Sequence, residues 1–160
     1  MSIPSSTGDE LAGVVDLFGA LTRDELESAL DELAFKRGES ADEDAIEATV
    51  ADAIEAYYLV AVDEDDESLL VPGPVAFPTL SDGAEDLPHI MDVPDRTVDR
   101  ETLVEAVERR LRADAASAVD DGDTDRIEHL LDVSYDLETW GDTDASEIRE
   151  RLDDALENRN

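Results

Sequence analysis

Residues 21–72, LTRDELESALDELAFKRGESADEDAIEATVADAIEAYYLVAVDEDDESLLVP, decide the fold. The stretch opens with Leu21-Thr22-Arg23-Asp24-Glu25-Leu26, which puts Thr22 at an N-cap and Glu25 three residues later. Each of those side chains can satisfy a backbone donor that a helix start leaves without a partner. Leu21 and Leu26 are spaced to close a hydrophobic staple around the same turn. Leu26, Ala29, Leu30, Leu33 and Ala34 then recur at helical spacing, and Gly38, just past Lys36-Arg37, offers a left-handed stop. A second helix is expected from near Ser40 or Asp42. It turns Ile46, Val50, Ala53, Ile54 and Tyr57 inward and Glu43, Glu47, Ala48, Asp52 and Glu55 outward. Residues 57–62 are a β-prone run, residues 63–67 an acidic turn, and residues 68–71 a returning strand that Pro72 ends. Helix, turn, helix and hairpin in that order make a winged helix-turn-helix-like unit.

Before this stretch, residues 1–8 read as a disordered lead. Thr7 and Glu10 then offer a cap for a further helix carrying Leu11, Val14, Val15, Leu17 and Phe18. Gly13 and Gly19 lower its propensity, so packing has to hold it. After the stretch, Pro72, Pro74, Pro78, Pro88 and Pro94 argue against helix between residues 71 and 97. Val75, Phe77, Leu80, Leu87, Ile90, Met91 and Val93 make the same segment too apolar for a free linker. It reads as an extended strap lying across the winged unit. Val98-Asp99 and Leu103 repeat the staple-and-cap pattern, and Leu103, Val104, Val107, Leu111, Ala115 and Ala118 form one face of a long helix. A turn at residues 120–124 separates it from a helix carrying Ile127, Leu130, Leu131 and Leu137 that ends near Trp140-Gly141. Asp144 with Glu147 caps a last helix carrying Ile148, Leu152, Ala155 and Leu156. The expected architecture is mainly α with a small β-hairpin. A winged-helix-like unit spans 9–72, a Pro-rich extended strap 73–98, and a C-terminal three-helix unit 99–157.

Charge is the strongest compositional feature: 45 acidic residues stand against 12 basic ones, a formal net of −33. Lys36 is the only lysine. Such a chain repels itself in dilute buffer. At ~1 M salt the Debye length is about 3 Å and the repulsion is largely screened. The composition therefore fits a protein adapted to a cytoplasm rich in potassium chloride. With no cysteine, neither disulfides nor thiolate metal ligands are available. No apolar run approaches the ~20 residues needed to span a bilayer, and no signal-peptide pattern precedes Gly8, so a cytoplasmic location is expected.

A helix-turn-helix places its second helix in the DNA major groove, and affinity rests on cations that neutralise phosphates. Residues 42–56 hold no lysine or arginine, their outward face is Glu43, Glu47, Asp52 and Glu55, and the wing tip at 63–67 is entirely acidic. The charges argue against groove binding by this helix. Arg100, Arg109, Arg110 and Arg112 form the one basic cluster and could contact an anion, a nucleic-acid backbone or an acidic partner. The plainer reading is that Glu105, Glu108 and Asp114 pair with them at helical spacing.

Asp121-Gly122-Asp123-Thr124-Asp125 with Asp132 imitates a calcium loop, but Arg126 stands where glycine belongs and Asp132 where glutamate belongs. These aspartates read more simply as turn and cap residues. His89 and His129 lack zinc-ligand spacing, and neither a nucleophile pattern nor a phosphate loop is present. No catalytic, cofactor-binding or metal-binding residue is assigned, no cofactor is expected, and the chain does not read as an enzyme. Tyr57, Tyr58, Trp140, Phe77 and Met91 read as core and strap packing, whereas an exposed aromatic would mark a protein interface.

Leu21-Thr22-Arg23-Asp24-Glu25-Leu26, Tyr57-Tyr58-Leu59-Val60 and Val71-Pro72-Gly73-Pro74-Val75-Ala76-Phe77-Pro78 give residues 9–97 their resemblance to an uncharacterised family of haloarchaeal proteins. The similarity continues through the C-terminal helices. It implies a salt-rich habitat and a cytoplasmic location, and transfers no functional residue. The reading favoured is a non-enzymatic winged-helix module that binds another protein. The alternative is a transcriptional regulator meeting DNA through a surface other than the acidic second helix. Nucleic acid is disfavoured by charge, and no membrane association is expected.

Overall fold

The helix-start signals in the sequence are, with two exceptions, the ones the chain uses. The computed structural model describes residues 5–36, 38, 42–64, 66–80, 83–94 and 96–158. The chain divides into two compact units, residues 1–98 and 99–160.

In the first unit, α1 (Ser5–Phe18) begins before the expected cap, so Thr7 lies inside the helix and residues 5–8 are not a disordered lead. No proline or glycine interrupts Ser5-Ser6-Thr7, so the helix can run through them. Residues 1–4 lie outside the described residues. α2 (Arg23–Lys36) starts on the capping box as read: the Thr22 N–H donates to Glu25 Oε1 at 2.8 Å and the Glu25 N–H to Thr22 Oγ1 at 3.2 Å. Gly38 takes the left-handed conformation that stops a helix. α3 (Glu43–Glu55) is capped by Asp42, whose carboxylate accepts the Asp44 N–H. Ser40, the other start considered, is outside the described residues.

Tyr57 is buried but does not begin the strand; it leaves α3 in a left-handed turn, with φ of 70°. β1 (Leu59–Glu64) and β2 (Glu67–Pro72) pair antiparallel, with Leu59 opposite Pro72 and Glu64 opposite Glu67. Both strands therefore run further into the acidic turn than the sequence suggests. Glu64 opposite Glu67 leaves a two-residue connection, in which Asp66 is left-handed. Leu21 adds an isolated bridge: its N–H donates to the Leu70 carbonyl at 3.1 Å, and the Leu70 N–H returns to Leu21 at 2.6 Å. That bridge fixes the start of α2 against the hairpin. The core draws Leu11, Val14, Val15 and Phe18 from α1, Leu26, Ala29 and Leu33 from α2, Val50 and Ala53 from α3, and Leu59 and Leu70 from the hairpin.

The strap contributes to the same core through Ala84 and Leu87. Here the expectation of no helix is corrected. A 3-10 turn at Ala84–Asp86 leads into α4 (Leu87–Ile90), with Pro88 in the first turn, where a missing N–H leaves no bond unmade. The strap crosses α1 on main-chain bonds. The Thr79 N–H donates to the Asp9 carbonyl at 3.1 Å and the Phe77 N–H to Asp9 Oδ1 at 2.9 Å. At Gly13 a Cβ would lie 1.8 Å from the Thr79 carbonyl oxygen, and at Gly19, with φ of 88°, 2.2 Å from that of Arg96. The two glycines that look like weaknesses of α1 are thus where the strap makes contact. Lys36 Nζ holds the strap from the other side, donating to Gly83 O and Asp86 Oδ2, each at 3.1 Å.

In the second unit, α5 (Arg100–Asp121) is capped by Asp99, which accepts the Thr102 N–H, and ends at left-handed Gly122. α6 (Thr124–Gly141) is capped by Asp123, and α7 (Ser146–Glu157) completes the unit. Leu103, Val107 and Leu111 of α5, Ile127, Leu130 and Leu137 of α6, and Ile148 and Leu152 of α7 are all buried. The expected Asp144–Glu147 capping box is not formed. Asp144 Oδ1 accepts the Ser146 N–H at 2.9 Å, but the Ala145 N–H goes to Glu138 Oε2 of α6, also at 2.9 Å. The helix starts one residue later than expected, with Ala145 at the N-cap, so Glu147 falls at the second helical position and not the third. Glu138 is held in place by Arg149, which donates to its two oxygens at 2.8 and 3.3 Å.

One ion pair gathers the ends of the first unit. Arg96 donates to both Glu25 oxygens at 2.6 and 3.2 Å and to the Ala20 carbonyl at 3.4 Å, and lies 3.7 Å from Glu67. Burial pushes the Glu25 carboxyl up, but the hydrogen bonds from Arg96 and Thr22 outweigh it and hold the group below its ordinary value. A depressed folded-state value stabilises the protein above the unfolded value, about 4.3 for glutamate, and that stability is lost as pH falls through the folded value. Glu25→Gln keeps a capping side chain and removes the charge. It is expected to lose about 1–3 kcal/mol at neutral pH in urea denaturation at fixed salt. The gap should close as the pH is lowered below about 4. An equal gap at neutral and acid pH would show that the carboxylate charge is not what Arg96 recognises.

Candidate interaction surfaces

α3 and the hairpin are the parts a winged helix would present to DNA, and both are acidic. Glu43, Asp44 and Glu47 are exposed along α3, as are Asp63, Asp66 and Glu67 at the hairpin tip; Asp65 lies outside the described residues. Between α2 and α3 lies a shallow cleft of about 370 Å³ whose lining includes Asp24, Glu27, Asp31, Glu43, Asp44 and Glu47. Arg23 is paired away, 3.3 Å from Glu27 and donating to the Glu47 carbonyl at 3.3 Å. Phosphates approaching this side of the unit would meet carboxylates, which works against the counterion release that drives DNA affinity.

The four arginines singled out from the sequence separate into two kinds. Arg100 packs its guanidinium 4.1 Å from the Trp140 ring centroid and donates to the Trp140 carbonyl. Arg110 pairs with Asp114 at 3.4 Å, and Arg126 reaches the same carboxylate at 3.4 Å. Both residues therefore serve the second unit's own structure. Arg109 and Arg112 are exposed, and neither has an ion pair or hydrogen-bond partner among the described residues. Of the acids expected to neutralise the cluster, only Asp114 does so; Glu108 accepts the Thr143 hydroxyl instead.

Arg112 has a neighbour that sequence reasoning missed. Arg151 of α7 lines a shallow cleft of about 200 Å³ with Arg112, Ala115, Glu147 and Ile148. Arg151 lies four residues after Glu147 and so reads as half of an ordinary helix ion pair. That pair is not formed.

Exposed apolar side chains concentrate in the first unit. Phe35 is 79% exposed and Phe77 78%, and Leu80 and Ile90 are also exposed. Phe77 corrects an expectation: it does not pack the strap down, because the main-chain bonds to Asp9 already do so and leave its ring outward. Met91 does pack against the core. Phe35 and Ile90 stand at the ends of elements joined by the Lys36–Asp86 contact. Tyr135 is exposed in the second unit but is stacked with Arg149, 4.3 Å from its ring centroid.

The calcium-like run is an interhelical turn, with Gly122 ending α5 and Asp123 accepting the Arg126 N–H at 3.1 Å to start α6. His89 is exposed on α4 and His129 half-buried on α6. Among the described residues no cluster of three or more His, Asp or Glu side chains is placed to hold a metal ion, and no helix is long and apolar enough to cross a membrane.

A family model matches residues 9–157, and so runs through both units. The chain belongs to DUF7109, a family of unknown function. No curated protein and no solved structure matches it. Membership in DUF7109 gives no residue a role, so the functional reading rests on the surfaces described above. The division of the arginines can be tested through Trp140, the only tryptophan. Arg100→Ala should move its fluorescence emission to longer wavelength and lower stability by about 0.5–1 kcal/mol. Arg109→Ala should leave the emission unchanged and stability within about 0.5 kcal/mol. An unaltered spectrum for Arg100→Ala would return Arg100 to the open cations.

Proposed function

We propose that the protein is a non-enzymatic interaction module of the cytoplasm that binds another protein through its first unit. The observation carrying this reading is the outward placement of Phe35, Phe77, Leu80 and Ile90 on a unit whose surface is otherwise densely acidic. Large exposed apolar side chains mark interaction sites, and burying one contributes about 1.5–3 kcal/mol. The order α1, α2, α3, β1, β2, with Leu21 bridged to Leu70, supports a winged-helix-like unit. The acidic face of α3 turns that architecture from groove reading toward protein contact. The excess of carboxylates and the single lysine support adaptation to a salt-rich, haloarchaeal cytoplasm. Fold likeness alone assigns no activity, whereas the surface chemistry bears directly on what can bind.

The second reading is a transcriptional regulator that meets DNA through another face. It is favoured by Arg109 and Arg112, which have no acid partner among the described residues.

Affinity capture from a native lysate at high potassium chloride separates the two readings. The bait is the full chain, wild type or Phe35→Ser/Phe77→Ser, with and without nuclease. A defined protein prey that survives nuclease and is lost with the double variant is expected. Both substitutions are at exposed positions and should change stability by no more than about 0.5 kcal/mol each. Prey lost on digestion would replace this reading with the regulator, and prey retained by the double variant would remove the apolar surface from the account.

A further inference from the structure

Cations are scarce in this chain, so the ones without a partner are informative. Arg23, Arg96, Arg110, Arg126 and Arg149 are paired with carboxylates, and Arg100 is packed on Trp140. Arg109, Arg112 and Arg151 are exposed and have no such partner among the described residues, although the chain carries 45 acidic residues. Two of them, Arg112 and Arg151, line one cleft, and Arg109 lies three residues before Arg112 on the neighbouring surface of α5.

We propose that this α5/α7 face is a docking site for an acidic segment of a partner protein, one that presents carboxylates around an aliphatic side chain. It is a different surface from the apolar one in the first unit and does not depend on that reading. Three features select the occupant. Two arginines at one cleft can each grip a carboxylate with paired, charge-assisted hydrogen bonds. The cleft also includes Ala115 and Ile148, both nearly fully buried and therefore a floor, which suits an apolar side chain between two acids and gives a phosphate backbone nothing to contact. Glu147 on the same cleft can accept an N–H from a peptide main chain, a donor that a nucleic-acid backbone does not offer. At about 200 Å³ the cleft holds one side chain and falls short of the ~300 Å³ at which small-molecule sites begin. Three arginines are also fewer than the roughly 6–10 phosphate contacts typical of salt-sensitive DNA binders.

The test is fluorescence anisotropy with the full chain, at the lowest potassium chloride concentration at which circular dichroism shows it folded. One probe is a labelled peptide of repeated Glu-Glu-Leu-Glu units and the other a labelled DNA duplex of mixed sequence. The peptide is expected to bind, more weakly as salt rises, and Arg112→Glu/Arg151→Glu should weaken it by about tenfold or more. Neither position has a partner to lose, so the melting temperature should hold at ~1 M potassium chloride, where the repulsion added by the new carboxylates is screened. Arg112→Gln/Arg151→Gln, which adds no negative charge, should weaken peptide binding as well. Arg110→Ala, which removes an arginine already paired with Asp114, should change affinity by less than about twofold. Binding of the duplex in place of the peptide, with the same sensitivity to Arg112→Glu/Arg151→Glu, would make the face a nucleic-acid surface. Binding of neither probe, or equal loss in Arg110→Ala, would also overturn the proposal.

Discussion

The first unit depends on two places where main chain meets main chain. The strap passes so closely over Gly13 of α1 and Gly19 just beyond it that no side chain fits at either position. With those contacts made, the Thr79 and Phe77 N–H groups reach Asp9, and the strap continues to deliver Ala84 and Leu87 to the core and Arg96 to Glu25. Extended chain is held against a helix where its polar groups find partners, and Asp9 supplies them from both its carbonyl and its carboxylate. This arrangement also shapes the surface. A strap held by its backbone has no need of the Phe77 ring as an anchor, and the ring is left facing solvent.

Electrostatics is organised by the same scarcity throughout. Arg96 binds Glu25 and lies near Glu67, so one cation ties the strap, the start of α2 and the hairpin. Lys36, the only lysine, closes the other end of the strap on Gly83 and Asp86. In the second unit Arg149 fixes Glu138, whose carboxyl is held below its ordinary value by that arginine and by the Ala145 N–H. Exposed pairs of this kind are individually weak, but the partly buried Arg96–Glu25 pair has paired geometry and shared partners. The arginines left over on α5 and α7 are conspicuous because the other cations among the described residues are all occupied.

Local signals in the sequence were sufficient for most elements. The Thr22–Glu25 box, the Asp42, Asp99 and Asp123 caps, the Gly38 stop and the turn at residues 120–124 all act within a few residues, so spacing alone reveals them. The misses share a different cause. Glu138 caps Ala145 from seven residues away, and Arg149 orients it from eleven, so the local Asp144–Glu147 pattern misleads. Proline counting hid the Ala84–Ile90 segment, because Pro88 falls in the first turn of α4, where proline is tolerated. The roles of Gly13 and Gly19 depend on residues 66 and 77 positions further on, Thr79 and Arg96, and a helix-propensity scale sees only their cost. At the candidate surfaces, Arg109 and Arg112 were legible as charge, but their freedom and the partnership with Arg151 required the packing of α5 against α7.

The most direct measurement is the stability of Gly13→Ala by chemical denaturation. On helix propensity alone, alanine in the middle of α1 should stabilise the protein by about 1 kcal/mol. With the strap lying on Gly13, the added methyl must displace the Thr79 carbonyl, and the variant should instead lose about 1–3 kcal/mol. A variant more stable than the wild type would mean that the strap does not rest on α1, and the account of the first unit would fail with it.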